Sequence, residues 1–192
     1  MSFSTNIKEE ISRVRNTRSE TIAELSGFLR NNGTCTDDTI DLITENATVA
    51  KRIYQLIKEL YDVSCEIETR KSMNFSKNNL YLIMINEKTD LILRDLSIIN
   101  EKGIFLEVPN DYIVGSEEEI RAYLRGAFLA KGSINDPKTA RYHLEFLIEE
   151  KEEAIFISKL LNNFDLSRGK RKKIIDGLSA VVILQSYLDR RK

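Results

Sequence analysis

The apolar positions fall into two runs of helical spacing that echo each other 99 residues apart. Ile22, Leu25, Phe28 and Leu29 recur at the three- and four-residue intervals of an amphipathic helix, and Ile120, Tyr123, Leu124, Ala127 and Phe128 do the same. Aligning AELSGFLRNNGTC (23 to 35) with AYLRGAFLAKGSI (122 to 134) places Ala23 on Ala122, Leu25 on Leu124, Gly27 on Gly126, Gly33 on Gly132 and Thr34 on Ser133. The chain therefore reads as an internal duplication. Gly33 and Gly132, just past the last periodic residue, predict left-handed helix C-caps. Gly27 and Gly126 lie inside the helices, where glycine costs about 1 kcal/mol relative to alanine. Their matched positions predict two helices packed face to face on a pseudo-two-fold axis, with Gly27 and Gly126 at the contact.

The remaining pattern fills in each half. Residues 2 to 14 form a helix capped by Ser2 or Ser4, with Ile7, Ile11 and Val14 on one face, and Thr17 or Ser19 caps the first duplicated helix. TIDLITE (39 to 45) alternates as a half-buried strand paired with residues near 34 to 36 across the turn at Asp37 and Asp38. Asn46 caps a helix over 47 to 61 carrying Val49, Ile53, Leu56, Ile57 and Leu60. VSCEIET (63 to 69) follows as a strand with Val63, Cys65, Ile67 and Thr69 on one face. NLYLIMI (79 to 85) is its more fully buried partner, and a helix over 88 to 98 closes the half. The linker over 99 to 118 ends in a capping box of Ser116 with Glu119. The second half repeats the order: a turn through Asp136 and Pro137, a strand YHLEFLI, a helix EEAIFISKLLNNF, then a basic strand and a hairpin turn at Asp176 and Gly177. YDVS (61 to 64) against FDLS (164 to 167) supports the duplication independently. The expected fold is α+β, two αββαββ halves over residues 1 to 99 and 100 to 192 forming one compact domain.

Composition narrows the class. An apolar content of 42% in 192 residues suffices for a real core. No charged-apolar-small segment opens the chain and no apolar run approaches the ~20 residues of a membrane helix, so a cytoplasmic location without membrane association is expected. Cys35 and Cys65 stand alone without a CxxC, and with the single histidine, His143, they signal neither disulfide nor zinc; both read as packing residues. No cofactor is implied.

LSGFLRNNG (25 to 33) and LRGAFLAKG (124 to 132) resemble the LAGLIDADG motif of homing endonucleases residue for residue. MSFSTNIKEEI, AELSGFLRNNGT, TENATVAKRIYQLIKELYDVS and YLRGAFLAKGSINDP followed by YHLEF narrow the resemblance to the WhiA family of bacterial regulators, over residues 1 to about 170. The resemblance implies a degenerate LAGLIDADG domain followed by a helix-turn-helix domain, and a role in transcription control, sporulation, or cell division and chromosome segregation at the nucleoid. A helix-turn-helix is absent from this chain, and the final LSAVVILQSYLDRRK does not continue in the family's manner.

In the nucleases the eighth motif position is an acid, and the two acids together hold divalent metal over the scissile phosphates. Those positions here are Asn32 and Lys131. Asparagine is a weak neutral ligand and lysine repels a cation, so neither a metal site nor catalysis is expected. Asp37, Asp38 and Asp136 suit turns, Glu145 suits an exposed strand face, and His143 suits a strand surface.

Charge distribution qualifies DNA binding. Residues 1 to 99 carry 13 basic and 15 acidic side chains and residues 100 to 192 carry 16 and 15, yet the last 25 carry eight and two. Contacts to a DNA backbone are expected from Arg168, Lys170, Arg171, Lys172 and Lys173, with Arg70, Lys71 and Lys77 from the equivalent part of the first half. Lys51 and Arg52 sit on a helix behind the sheet, away from DNA. Glu66 and Glu68, opposite the buried strand residues, would repel phosphates. Weak binding through this domain is expected, with recognition by a missing C-terminal domain. Two readings stand beside this one: a protein-protein interaction module without DNA binding of its own, and an active homing endonuclease, which would need acids at 32 and 131.

Overall fold

The computed structural model describes residues 2–36, 38–71, 79–136 and 144–163. Ser2 Oγ accepts from Thr5 N to open α1 (Phe3–Ile11). Thr17 and Glu20 form a reciprocal capping box at the start of α2 (Arg18–Asn32), which runs straight into β1 (Gly33–Cys35). The chain returns as β2 (Ile40–Thr44), and Asn46 Oδ1 then takes the Thr48 and Val49 amides to start α3 (Ala47–Tyr61). β3 (Glu66–Lys71), β4 (Asn79–Ile85) and α4 (Thr89–Asp95) complete the first half. After a linker with a 3-10 turn at Asp111–Val114, the Ser116–Glu119 capping box opens α5 (Glu117–Lys131). It is followed by β5 (Gly132–Ile134), β6 (Leu144–Phe146) and α6 (Lys151–Asn163). Both halves thus begin α-β-β-α. The fold is α+β, with the order that the duplication predicts, and residues 164–192 lie outside the described residues.

The first half's sheet is antiparallel in the order β1-β2-β4-β3. Its register sets Ile40 opposite Ile85 and Leu42 opposite Ile83. These four side chains, all 0% exposed, face the helices and merge with Leu25 and Phe28 of α2, Ile53 and Ile57 of α3, and Tyr123, Leu124 and Phe128 of α5. The helix layer therefore covers one face of this sheet and leaves the other open.

The two motif helices touch reciprocally. A Cβ placed on Gly27 would lie 2.2 Å from Tyr123 O, and one on Gly126 would lie 2.0 Å from Glu24 O and 2.9 Å from Phe28 N. Under the duplication Glu24 corresponds to Tyr123 and Phe28 to Ala127, and Ala127 N indeed lies 3.3 Å from a Cβ on Gly27. Each helix meets its copy's equivalent atoms, as a two-fold requires.

Several expectations are corrected. Gly33 and Gly132 are not left-handed caps: their φ,ψ are −80°,139° and −82°,149°, extended values at the first residues of β1 and β5. Glycine is needed there because the helix turns into the strand without a spacer. A Cβ would sit 2.8 Å from Leu29 O at Gly33, and 2.1 Å from Phe128 Cδ2 at Gly132. The motif helices are not amphipathic in their middles. Residues 23 to 29 and 122 to 129 are buried on every side, because each helix is enclosed by its twin, a sheet and outer helices. α1 stops at Ile11, leaving Val14 beyond it, and α4 is shorter than the 88 to 98 expected. The strand expected from Val63 begins only at Glu66, and Ile67 is 47% exposed. β3 is the outer strand of the sheet and all six of its residues are exposed, so alternation there has no core to meet. β6 ends at Phe146, short of the expected end at Ile148, and Leu147 is exposed. The turn residues Asp37 and Pro137, Tyr142 and His143, the basic strand and the Asp176–Gly177 hairpin lie outside the described residues.

Substituting Gly126 with alanine forces the helices apart, since the obstructing atoms are backbone. Loss of about 1–3 kcal/mol is expected, read as a lowered Tm; an unchanged Tm would contradict the packing.

Candidate functional site

The site is built on the two enclosed helices and opens where they end. Midway along α2, Glu24 is 0% exposed and carries a buried ionic cluster. Arg52 of α3 donates its Nε to Glu24 Oε1 and its Nη2 to Oε2 at 2.8 Å, and Arg125 of α5 donates Nε to Oε2 at 2.7 Å. Asn16 Nδ2 adds a bond to Oε2 at 2.8 Å, and its Oδ1 accepts from Arg125 Nη2. Arg52 Nη1 also holds the Ser12 and Val14 carbonyls at 2.7 and 2.9 Å. One carboxylate thereby ties α2, α3, α5 and the segment after α1. Burial alone would push the Glu24 carboxyl up, but the Arg52 hydrogen bond and the two guanidinium charges hold it below the ordinary carboxylate value. Arg52, expected to face away as a bystander behind the sheet, is 7% exposed and belongs to this cluster.

The duplicate of Glu24 is Tyr123, and it too reaches the next helix. Its hydroxyl donates to Glu153 Oε1 of α6. Glu153 is 2% exposed; Asn31 Nδ2 lies 3.3 Å from the same oxygen, and Oε2 has no hydrogen-bond partner among the described residues. Burial raises this carboxyl, with Tyr123, Arg30 and Asn31 only partly offsetting it. Neither cluster was found in the sequence reading. Their signal was a charged residue on an otherwise apolar stripe: Glu24 between Thr21 and Phe28, Arg125 beside the interface glycine, and Glu153 three residues before Phe156.

At the ends of α2 and α5, Asn32 and Lys131 have local partners. Asn32 Oδ1 accepts from Ile43 N at 2.8 Å and stitches the helix end to β2. Lys131 Nζ lies 3.8 Å from Glu149 Oε1, on the surface. Both line a cleft of about 1090 Å³ that also takes in Lys8, Arg30, Ile43, Leu80 and Glu150. Lys8 reaches over from α1, donates to Leu129 O at 3.2 Å and stands 5.6 Å from the Phe128 ring centre. Burial lowers its ammonium to about 8, with Glu45 opposing the shift. Among the described residues no group of three or more His, Cys, Asp or Glu side chains is placed to hold a metal.

Of the expected DNA contacts, the described residues include two. Arg70 is on the open face, but its Nε and Nη2 donate to Glu68 at 2.9 and 2.7 Å. Lys71, next along the strand, alternates to the opposite face. Lys77, Arg168, Lys170, Arg171, Lys172 and Lys173 fall outside the described residues. Asp38 and Glu145 are exposed, and Cys35 and Cys65 are half-buried thiols that burial pushes up to about 11. No helix among the described residues is long and apolar enough to cross a membrane.

Residues 18–99 match the family model described as the WhiA N-terminal LAGLIDADG-like domain, and residues 120–182 match the one described as the WhiA LAGLIDADG-like domain. The "Probable cell division protein WhiA" of Exiguobacterium sibiricum is 40% identical over 87% of this chain and 54% of its own length. The protein of the same name from Bacillus cytotoxicus is 41% identical over the same shares. The chain thus spans about half the length of these curated relatives. Among solved structures, the N-terminal LAGLIDADG domain of DUF199/WhiA superposes with a TM-score of 0.68 at 27% identity, covering 85% of this chain and 75% of that one. I-DmoI in complex with DNA and Mn superposes at 0.51 with 15% identity, covering 86% and 98%, which is a likeness of fold.

Removing the Glu24 carboxylate by alanine strands two buried guanidinium groups and should cost about 3–5 kcal/mol. Because the native carboxyl sits below its unfolded value, its contribution is present above about pH 4.3 and is lost as pH falls through the native value. Glu153 has the opposite sign: its native carboxyl is raised, so its contribution is full in acid and lost as pH rises. Glu153→Gln should therefore raise Tm at neutral pH and leave it nearly unchanged near pH 4; paired thermal melts at the two pH values check this.

Proposed function

Because the chain belongs to the WhiA family, we propose that it is the non-catalytic LAGLIDADG-like part of a DNA-binding transcriptional regulator acting in cell division, with chromosome segregation or sporulation as the processes served. The observation that carries the reading is what occupies the two motif-helix ends. A nuclease of this fold needs an acid at each to neutralise phosphate charge and hold the metal that activates water. Asn32 instead spends its oxygen on the Ile43 amide, and Lys131 adds a positive charge where a cation would have to bind. The family name of the relatives, a cell division protein, agrees with a regulatory role.

DNA contact by this part is weak and carried by the basic segment containing Arg168, Lys170, Arg171, Lys172 and Lys173, with sequence recognition in the portion of the family's length that this chain does not span. The sheet of the first half supports that division, since Arg70 is already neutralised by Glu68. The protein acts in the cytoplasm, at the nucleoid.

The test is incubation of the protein with supercoiled plasmid and magnesium or manganese. No cleavage above a mock purification is expected; metal-dependent cutting by the protein would overturn the reading. In equilibrium binding, about three to five phosphate contacts give a log K against log salt slope near −3 to −4. Reversing Arg171 and Lys173 to glutamate should abolish this binding, while Lys51→Glu on the exposed side of α3 should leave it intact. Nanomolar affinity for one sequence in physiological salt would contradict it.

A further inference from the structure

The open face of the first-half sheet carries a surface that the non-catalytic reading leaves without a use. The register lays its side chains out in rows. Asp41, Met84 and Glu66 lie side by side across β2, β4 and β3; Ile43, Leu82 and Glu68 form the next row, and Leu80 and Arg70 the third. The middle of the face is thus apolar. Ile43 is 50% exposed, and Leu82, although only 9% exposed, belongs with Leu80 and Met84 outside the core that the helices cover. Carboxylates flank this stripe, and Arg70, the one guanidinium on it among the described residues, is held by Glu68. The cleft at the motif-helix ends adjoins this face at Ile43 and Leu80 but is of mixed charge, with Lys8, Arg30 and Lys131 beside Glu149 and Glu150.

A nucleic acid backbone fits this face poorly: its phosphates would meet Asp41 and Glu66, and the apolar row would be covered by charge. A cationic amphipathic protein segment satisfies both features at once, its apolar side against Ile43, Leu80 and Met84 and its lysines or arginines against the flanking acids. We propose that the open face of the β1-β2-β4-β3 sheet is the docking surface for a basic, amphipathic segment of a partner protein. The proposal does not depend on whether Asn32 and Lys131 can hold a metal, so its loss would leave the non-catalytic reading standing.

The experiment uses the full chain and a short synthetic peptide with leucine along one helical face and lysine along the other, beside a scrambled peptide of equal composition and a short duplex DNA. Amide shift mapping should place the amphipathic peptide on β2, β4 and β3. Ile43→Ser and Glu66→Lys, both at exposed positions, should each weaken it about tenfold, read by fluorescence anisotropy, while Leu91→Ser on α4 should not. The scrambled peptide should bind at least about tenfold more weakly. Absence of peptide binding, equal binding of the scrambled peptide, insensitivity to both face variants, or shifts of the same β2, β4 and β3 amides by the duplex alone would each overturn the proposal.

Discussion

The approach of α2 to α5 sets the terms for everything else in this molecule. With Gly27 and Gly126 against the opposite backbone, there is no room between the helices for side chains, so their neighbours must be accommodated to either side. That closeness encloses both helices along their middles and brings a buried glutamate within reach of arginines from two other helices. A buried carboxylate of this kind is tolerable only when its oxygens are filled, and here both are. Geometry and electrostatics are therefore one constraint: the helices could not separate without uncovering Glu24, and Glu24 could not be lost without leaving Arg52 and Arg125 buried and unpaired.

The duplication kept its positions while changing the chemistry at them. The Glu24 slot in one half is the Tyr123 slot in the other, and each reaches the helix that follows its own strand pair, to Arg52 in one case and Glu153 in the other. The eighth motif positions have diverged in the same way. Asn32 has become a clasp between α2 and β2, and Lys131 a surface partner of Glu149.

Much of this was legible in the sequence because it rests on local rules. Caps at Thr17, Asn46 and Ser116, the 3.6-residue periodicity of α3, the pairing of β1 with β2 and the offset of the two motifs follow from side-chain type and spacing. The glycines inside the helices were legible too, because a costly residue at matched sites needs a packing reason. The illegible parts depend on what lies across space. Extended glycines at 33 and 132 look in sequence like ordinary caps, and Ile67 looks buried until β3 is seen to be an edge. Arg52 on an otherwise amphipathic helix reads as solvated, and only its distance to Glu24 shows that it is not.

The account's central claim is that the motif scaffold persists without a metal centre between its helix ends. Titrating the protein with manganese while following amide signals by NMR tests this most directly, since a bound paramagnetic ion broadens every nearby resonance. The Asn32, Gly33, Lys131 and Gly132 amides should keep their intensity relative to the exposed amides of α1 and α4. Selective, saturable loss of those four signals would mean that the helix ends still hold a cation, and the claim would fail.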